Sequence, residues 1–338
     1  MADRWLERFK AKVEAGERRE RTLEAHRYHV TKHLLPTLAL RQMGTIGVED
    51  VAELLTGLRA AGCSEKTAAE ALATLHSIIR FAIRNGWIAD NPVAKLEADE
   101  RPHPTGRHQR VLGRDEIGRL LAACLPRYRP LLATALYSGL RISELLGLVW
   151  DDVDFAAGVI DVRAQLSRAH RGAPARRVPP KTPAAVRDVP LVVQLAEVLR
   201  AHRRRSGFSG GSDWVFATGR GTPLGHRNVE RRALQRAARR AGLDGGEWPP
   251  LRFHDLRHTF ASHLILDLRL DPAQVSRILG HARVTITLDV YTHLFDEARH
   301  AAEIRELMAQ SAFARLLAAA GSTSDGARLV ALPGGRAT

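Results

Sequence analysis

Apolar positions recur every three to four residues along most of the chain, the period of helices with one buried face. In the first hundred residues the pattern predicts three helices. Thr22 is placed to cap one that runs to about Leu34, which Pro36 closes off. A shorter one spans about Val48–Leu58. Ser64 caps the third, which runs to about Asn85 with Leu72, Leu75, Ile79, Ala82 and Ile83 on one face and Gly86 as its terminator. The run NGWIADNP at 85–92 breaks the period. The polar stretch EADERPHPTGRHQR at 97–110 holds two prolines and a glycine, the composition of an interdomain linker.

Beyond it, Gly113–Leu125, Arg129–Gly139 and Ile142–Leu148 keep helical spacing. The period then changes. Gly158–Leu166, containing VIDV, reads as a strand. SRAHRGAPA at 167–175 is a loop. Val178 and Val186–Leu191 are expected to form the two arms of a hairpin around KTPAA, and Trp214–Phe216 a short strand. Helices resume at Leu191–Arg204 and Asn228–Ala241. Asp271 caps another, with Pro272 at its first position and Gly280 just past its end. Residues 299–320 have the spacing of an amphipathic helix, and the tail 321–338 is poor in hydrophobic residues and expected to be loose. The predicted layout is an all-α domain at 1–96, a linker at 97–107 and a mixed α+β, mainly helical domain at 108–320.

Composition agrees with two cores: 338 residues, 45% hydrophobic and 26% charged. No run approaches the ~18 apolar residues of a membrane span. The start, MADRWLERFK, lacks the apolar segment of a secretion signal. Cys63 and Cys124 cannot build a disulfide framework or a cysteine-rich metal site. These features predict a soluble, cytoplasmic protein.

Charge changes the picture. The formal net charge is +14. Residues 1–100 are neutral, with 15 basic and 15 acidic residues, while 163–240 hold 18 basic and 4 acidic ones. One segment therefore carries the whole excess, as a phosphate-facing surface would. After residue 100 the basic residues are 35 arginines and a single lysine, Lys181. Arginine stays protonated, whereas a lysine can give up a proton, so Lys181 is a candidate for proton donation.

Four segments stand out in order: SGLRISELLGLVWDD at 138–152, PPKTPAAVRDVPL at 179–191, FHDLRHTFASHL at 253–264 and LGHARVTITLDVYTH at 279–293. Arg141 follows the Ser138–Gly139 break and so sits at a helix start, with Glu144 three residues on to orient it. His254 and Arg257, at i and i+3, share a helix face. His258 adds a rival pattern: two histidines at i and i+4, as in a zinc protease helix. That motif needs glutamate in second place, and Asp255 stands there instead. His281 falls just past a capped helix, and Tyr291 lies ten residues later.

Arg141, Lys181, His254, Arg257, His281 and Tyr291 together resemble the active site of the tyrosine recombinases, the phage integrase family. The resemblance covers about 110–320 through motifs and 1–95 through the helical layout. It implies an α-helical core-binding (SAM-like) domain and a catalytic domain of the DNA breaking-rejoining type, closing on double-stranded DNA as a clamp. Tyr291 would attack a scissile phosphate, leaving a 3′-phosphotyrosine and a free 5′-hydroxyl. Arg141, Arg257 and His281 would stabilise the transition state, His254 would manage the phenol proton, and Lys181 would protonate the leaving oxygen. No metal or cofactor is needed, because the covalent link conserves the bond energy. Four protomers on short inverted-repeat core sites would pass through a Holliday junction, with a DNA-bending or directionality factor as a further partner. Integration or excision of a phage or mobile element is the implied role, and chromosome-dimer resolution is the second. The 299–320 helix would dock onto a neighbouring protomer.

Two positions depart from the family pattern: Ser138 stands where threonine is frequent, and Ala185 where a small polar residue is frequent. The chain starts almost directly with the core-binding helices, so no amino-terminal arm-binding domain of the lambda type is expected. A type IB topoisomerase and a catalytically silent DNA-binding regulator remain the alternatives.

Overall fold

The computed structural model describes residues 1–104, 109–167, 174–180, 182–245 and 248–295, with side chains through Tyr291. Lys181, the expected helix at 299–320 and the tail at 321–338 lie outside them. The chain divides into two compact units, Met1–His108 and Gln109–Thr338.

The first unit is helical: α1 (Ala2–Glu14), α2 (Glu20–His29), α3 (Leu35–Leu38), α4 (Val48–Ala60) and α5 (Glu65–Arg84). Ser64 caps α5 by accepting the Thr67 N–H at 3.2 Å, and Gly86 ends it with φ +70°. Leu23, Val51, Leu54, Leu55, Leu75, Ile78 and Ile79 fill its core. Two expectations fail here. α2 starts at Glu20 rather than behind Thr22, and Pro36 does not close it. A π-helical stretch, Val30–Leu34, intervenes, and Pro36 enters α3 at its start, where a missing N–H removes no required bond. Past α5, Arg101 Nη2 donates to the carbonyls of Val93, Ala94 and Leu96, so the chain stays tied to this unit beyond residue 97.

The second unit opens with α6 (Arg114–Ala123), α7 (Arg129–Ser138) and α8 (Ile142–Leu145). α8 is one turn, shorter than expected. At Gly147 the chain passes so close to the Gln165–Leu166 backbone that a Cβ would lie 2.7 Å from the Leu166 nitrogen, and the helical path is abandoned. Five short strands follow: β1 (Val153–Asp154), β2 (Val159–Val162), β3 (Gln165–Leu166), β4 (Arg177–Val178) and β5 (Arg187–Pro190). The predicted single strand over 158–166 is thus split in two.

The expected hairpin between Val178 and 186–191 does not exist. β4 pairs antiparallel with β3, and β5 pairs antiparallel with β2 in a three-stranded sheet of order β1-β2-β5. Pro179, Pro180 and Pro183 supply no N–H, so the ladder breaks between β4 and β5. Trp214 makes one isolated bridge to Val149 rather than a strand.

Then come α9 (Val193–Arg205), α10 (His226–Asn228), a π-helical stretch Val229–Gln235, α11 (Arg236–Arg240), α12 (Phe253–Leu266), α13 (Pro272–Leu279) and α14 (Val284–Phe295). Asp271 Oδ1 accepts the N–H groups of Ala273 and Gln274, and Gly280 closes α13 with φ +67°, both as expected. Over 229–240 the alternation is clean. Val229, Ala233, Leu234, Ala237 and Ala238 are buried, while Arg231, Arg232, Arg236, Arg239 and Arg240 are exposed. The main core packs α7 and the start of α12 around Leu131, Leu132, Trp150, Ile160, Leu199 and Leu256. A smaller one, with Ala261, Leu264, Val275, Leu279 and Tyr291, joins α12, α13 and α14.

Candidate active site

Two left-handed glycine turns build the site. Gly139 ends α7 and Gly280 ends α13. Each turn leaves helix carbonyls unbonded at a negative dipole end, a natural seat for cations. Arg257, on α12 and 2% exposed, spans both: Nη1 donates to the Gly139 carbonyl and Nη2 to the Leu279 carbonyl, each at 2.7 Å. Arg141 leaves the Gly139 turn, and its Nη2 donates to the Gly280 carbonyl at 3.0 Å.

Glu144 lies beneath them and is buried. Its Oε1 accepts Arg141 Nη1 at 2.7 Å and its Oε2 the Arg141 N–H at 3.0 Å. Arg187 of β5 grips the same carboxylate, Nη2 to Oε2 at 3.0 Å. Burial alone would raise the Glu144 pKa, but Arg187 and Arg141 hold it below the ordinary carboxylate range. Burial, then the Arg141 charge, pulls Arg257 down to about 9, so it stays protonated at neutral pH. Arg141, Arg187 and Arg257 thus face a single carboxylate, leaving a local charge of +2 for an anion to meet.

His281 follows the Gly280 turn. Its Nδ1 is held 2.9 Å from the hydroxyl of buried Thr287, so Nε2 is the nitrogen available to a ligand. Burial, then Arg257, Arg141 and Arg187, pulls its pKa down to about 4. His254 is lowered too, by burial and then by Arg257.

Tyr291 is buried at 2% exposure, and its hydroxyl lies 2.7 Å from His258 Nδ1. Burial raises the phenol pKa, so the resting hydroxyl keeps its proton. It is His258, and not His254, that holds the phenol here. The His254 and His258 rings stand edge to face, 4.5 Å between centroids. The structure therefore brings together Arg141, Glu144, His254, Arg257, His281 and Tyr291.

Sequence reasoning missed three members. His258 was visible only as half of a zinc-like pair. Arg187 did leave a signal: in RDVP the buried positions are Arg187 and Val189, so an arginine occupies an inward place in an alternating strand. Thr287 left none.

Two expected outcomes follow from this packing. A Cβ on Gly280 would sit 2.9 Å from Arg187 Cδ and 3.0 Å from the Ala184 carbonyl oxygen, on top of a left-handed φ. Gly280→Ala should cost about 1–3 kcal/mol in thermal unfolding. The second concerns acid. Burial, then His254, Arg257 and His281, pulls the His258 pKa down to about 3. The fold refuses a proton that the unfolded chain accepts below about pH 6.5. The His258 contribution is complete above that pH and is lost as pH falls toward 3. His258→Gln should therefore lose stability less steeply than wild type between pH 6.5 and 5; parallel curves would contradict this.

Residues 110–298 match the model of the phage integrase family, and residues 1–99 that of the phage integrase central domain. Tyrosine recombinase XerC of Xanthomonas campestris pv. campestris (strain B100) is 32% identical over 84% of this chain and 83% of its own length. Tyrosine recombinase XerC of Xylella fastidiosa (strain M23) is 33% identical over 69% of this chain and 71% of its own. Among solved structures, the Tn1549 transposon integrase in complex with transposon right end DNA has a TM-score of 0.76 at 23% identity, covering 89% of this chain and 97% of that one. A lambda integrase tetramer bound to a Holliday junction has a TM-score of 0.62 at 22% identity, covering 84% and 78%. The chain belongs to the phage integrase family, the tyrosine-type site-specific recombinases. Among the described residues no helix is long and apolar enough to cross a membrane.

Proposed function

We propose that this protein cuts and rejoins double-stranded DNA at short inverted-repeat core sites through Tyr291, integrating or excising a phage or other mobile element. The observation that carries the reading is the +2 cluster of Arg141, Arg187 and Arg257 around Glu144, beside His281 and the phenol. A phosphodiester brings one negative charge and its pentacoordinate transition state two, so the cluster is matched to the transition state.

The Tyr291 oxygen attacks phosphorus, a 3′-phosphotyrosyl bond forms, and the bond to the 5′ oxygen breaks. Arg141 and His281 Nε2 take the non-bridging oxygens, and Arg257, whose Nη1 and Nη2 are held by the Gly139 and Leu279 carbonyls, adds its charge to the site. Tyr291 leaves His258 to reach the phosphate, and His254 takes the phenol proton there. Lys181 returns a proton to the 5′ oxygen. Two described neighbours in the chain support this reading: Ala184 backs onto the Gly280 turn, and Arg187 bonds the Ile278 carbonyl. The reverse reaction with an exchanged 5′-hydroxyl rejoins the strands.

The helical unit is the core-binding domain, and the unit from Gln109 is catalytic. The arginine face over 231–240 supplies phosphate contacts. Four protomers assemble on two sites, pass through a Holliday junction, and use an accessory DNA-bending factor for directionality. The test is a plasmid carrying two copies of the DNA that flanks the protein's own gene. Incubation should yield two recombinant circles joined at one short sequence. Relaxation without recombinants, on plasmid lacking that sequence, would instead mean a topoisomerase.

A further inference from the structure

Three consecutive carbonyls end α13, and each is capped by a different arginine. Ile278 accepts from Arg187 Nε at 2.6 Å, Leu279 from Arg257 Nη2 at 2.7 Å, and Gly280 from Arg141 Nη2 at 3.0 Å. His281 is the next residue. In the reading above Arg141 and Arg257 act on the phosphate, and Arg187 is counted only in the local charge.

Every polar contact of Arg187 is internal. Besides Ile278 it reaches the Ala185 carbonyl at 3.0 Å and both Glu144 oxygens, at 3.3 and 3.0 Å. Its side chain is 6% exposed, so it is not presented to DNA. Its partners nevertheless govern two groups that are. Glu144 is shared between Arg187 and Arg141. With Arg187 in place, the carboxylate is already compensated, and the Arg141 fork can turn one edge to a phosphate. Without it, Glu144 becomes a buried carboxylate with Arg141 as its remaining bonded cation and draws that fork inward. The Ile278 bond meanwhile fixes the turn from which His281 projects.

We propose that Arg187 is a positioning residue of strand cleavage: through Glu144 and the Ile278 carbonyl it sets Arg141 and His281 on one scissile phosphate without touching the DNA. This rests on the recombinase reading. It predicts that the need for Arg187 follows the charge on the non-bridging oxygens.

The test is single-turnover cleavage of duplex DNA carrying the recovered core site. It is run once with an ordinary scissile phosphate and once with a methylphosphonate, in which an uncharged methyl replaces one non-bridging oxygen. Arg187→Met should slow cleavage of the phosphate about 100-fold with DNA affinity within about three-fold. On the methylphosphonate the defect should shrink below about five-fold, because little charge remains for Arg141 and His281 to neutralise. Arg187→Lys keeps the charge opposite Glu144 and should be intermediate, at about ten-fold, with the same preference. If Arg187→Met fails to fold, the lysine variant alone decides. Equal defects on both DNAs, or a rate near wild type on the phosphate, would overturn the proposal. Failure of the wild type to cleave the phosphate would strike the recombinase reading instead.

Discussion

Tyr291→Phe should abolish the covalent protein–DNA adduct, a loss of at least about 10⁴-fold, while DNA binding and the fold persist. The variant removes one oxygen from a packed ring. Ala261, Leu264, Val275 and Leu279 still enclose the phenyl group, so no cavity opens. His258 Nδ1 loses its 2.7 Å partner, which should cost about 1 kcal/mol. The expected signature is therefore a near-native melting temperature and unchanged DNA affinity with no adduct. Residual adduct at even 1% of wild type would mean that another residue attacks.

The second large effect is at Arg257. Its guanidinium holds the Gly139 and Leu279 carbonyls together across 118 and 22 residues of sequence. Arg141 and His281 leave those same turns, so one side chain sets the spacing of the two groups proposed to hold the phosphate. Lysine keeps the charge but has one nitrogen and cannot bridge two carbonyls each bonded at 2.7 Å. One carbonyl is left buried without a donor. Arg257→Lys should slow single-turnover cleavage about 10³-fold and destabilise the fold by about 2–4 kcal/mol. Thermal unfolding and single-turnover cleavage of the core site check the two parts separately. A large loss of stability with cleavage intact would separate the residue from the chemistry.

The chain announced these elements unevenly. In the first unit α4 and α5 were legible, as were the caps at Ser64, Asp271 and Gly280, because a capping side chain or a left-handed glycine acts within one turn of its own position, whereas α1 was not foreseen and the bounds of α2 were misread. The strand pairing was not. β3 and β5 flank β4 at similar sequence distances, so spacing does not choose between them, and the pattern around KTPAA suits either. The same division holds in the site. Glu144 and Arg141 were legible because the fork closes within one helical turn. The His258–Tyr291 bond spans 33 residues and the Arg187–Glu144 pair 43, and neither leaves a local spacing to read.

The resting geometry also gives the buried phenol a meaning. If Tyr291 is the nucleophile, as proposed, its raised pKa and the His258 contact protect it from idle reaction until it leaves that pocket for the arginine cluster.

The covalent linkage itself shows whether Tyr291 is the attacking group. The wild-type protein is mixed with DNA carrying the recovered core site, nicked to trap the intermediate. The adduct is denatured, digested and sequenced by mass spectrometry. The account predicts one nucleotide-bearing peptide, linked through Tyr291 to a 3′ phosphate, with a free 5′-hydroxyl on the released strand. Linkage through Tyr28, Tyr128 or Tyr137, or to a 5′ phosphate, would contradict it.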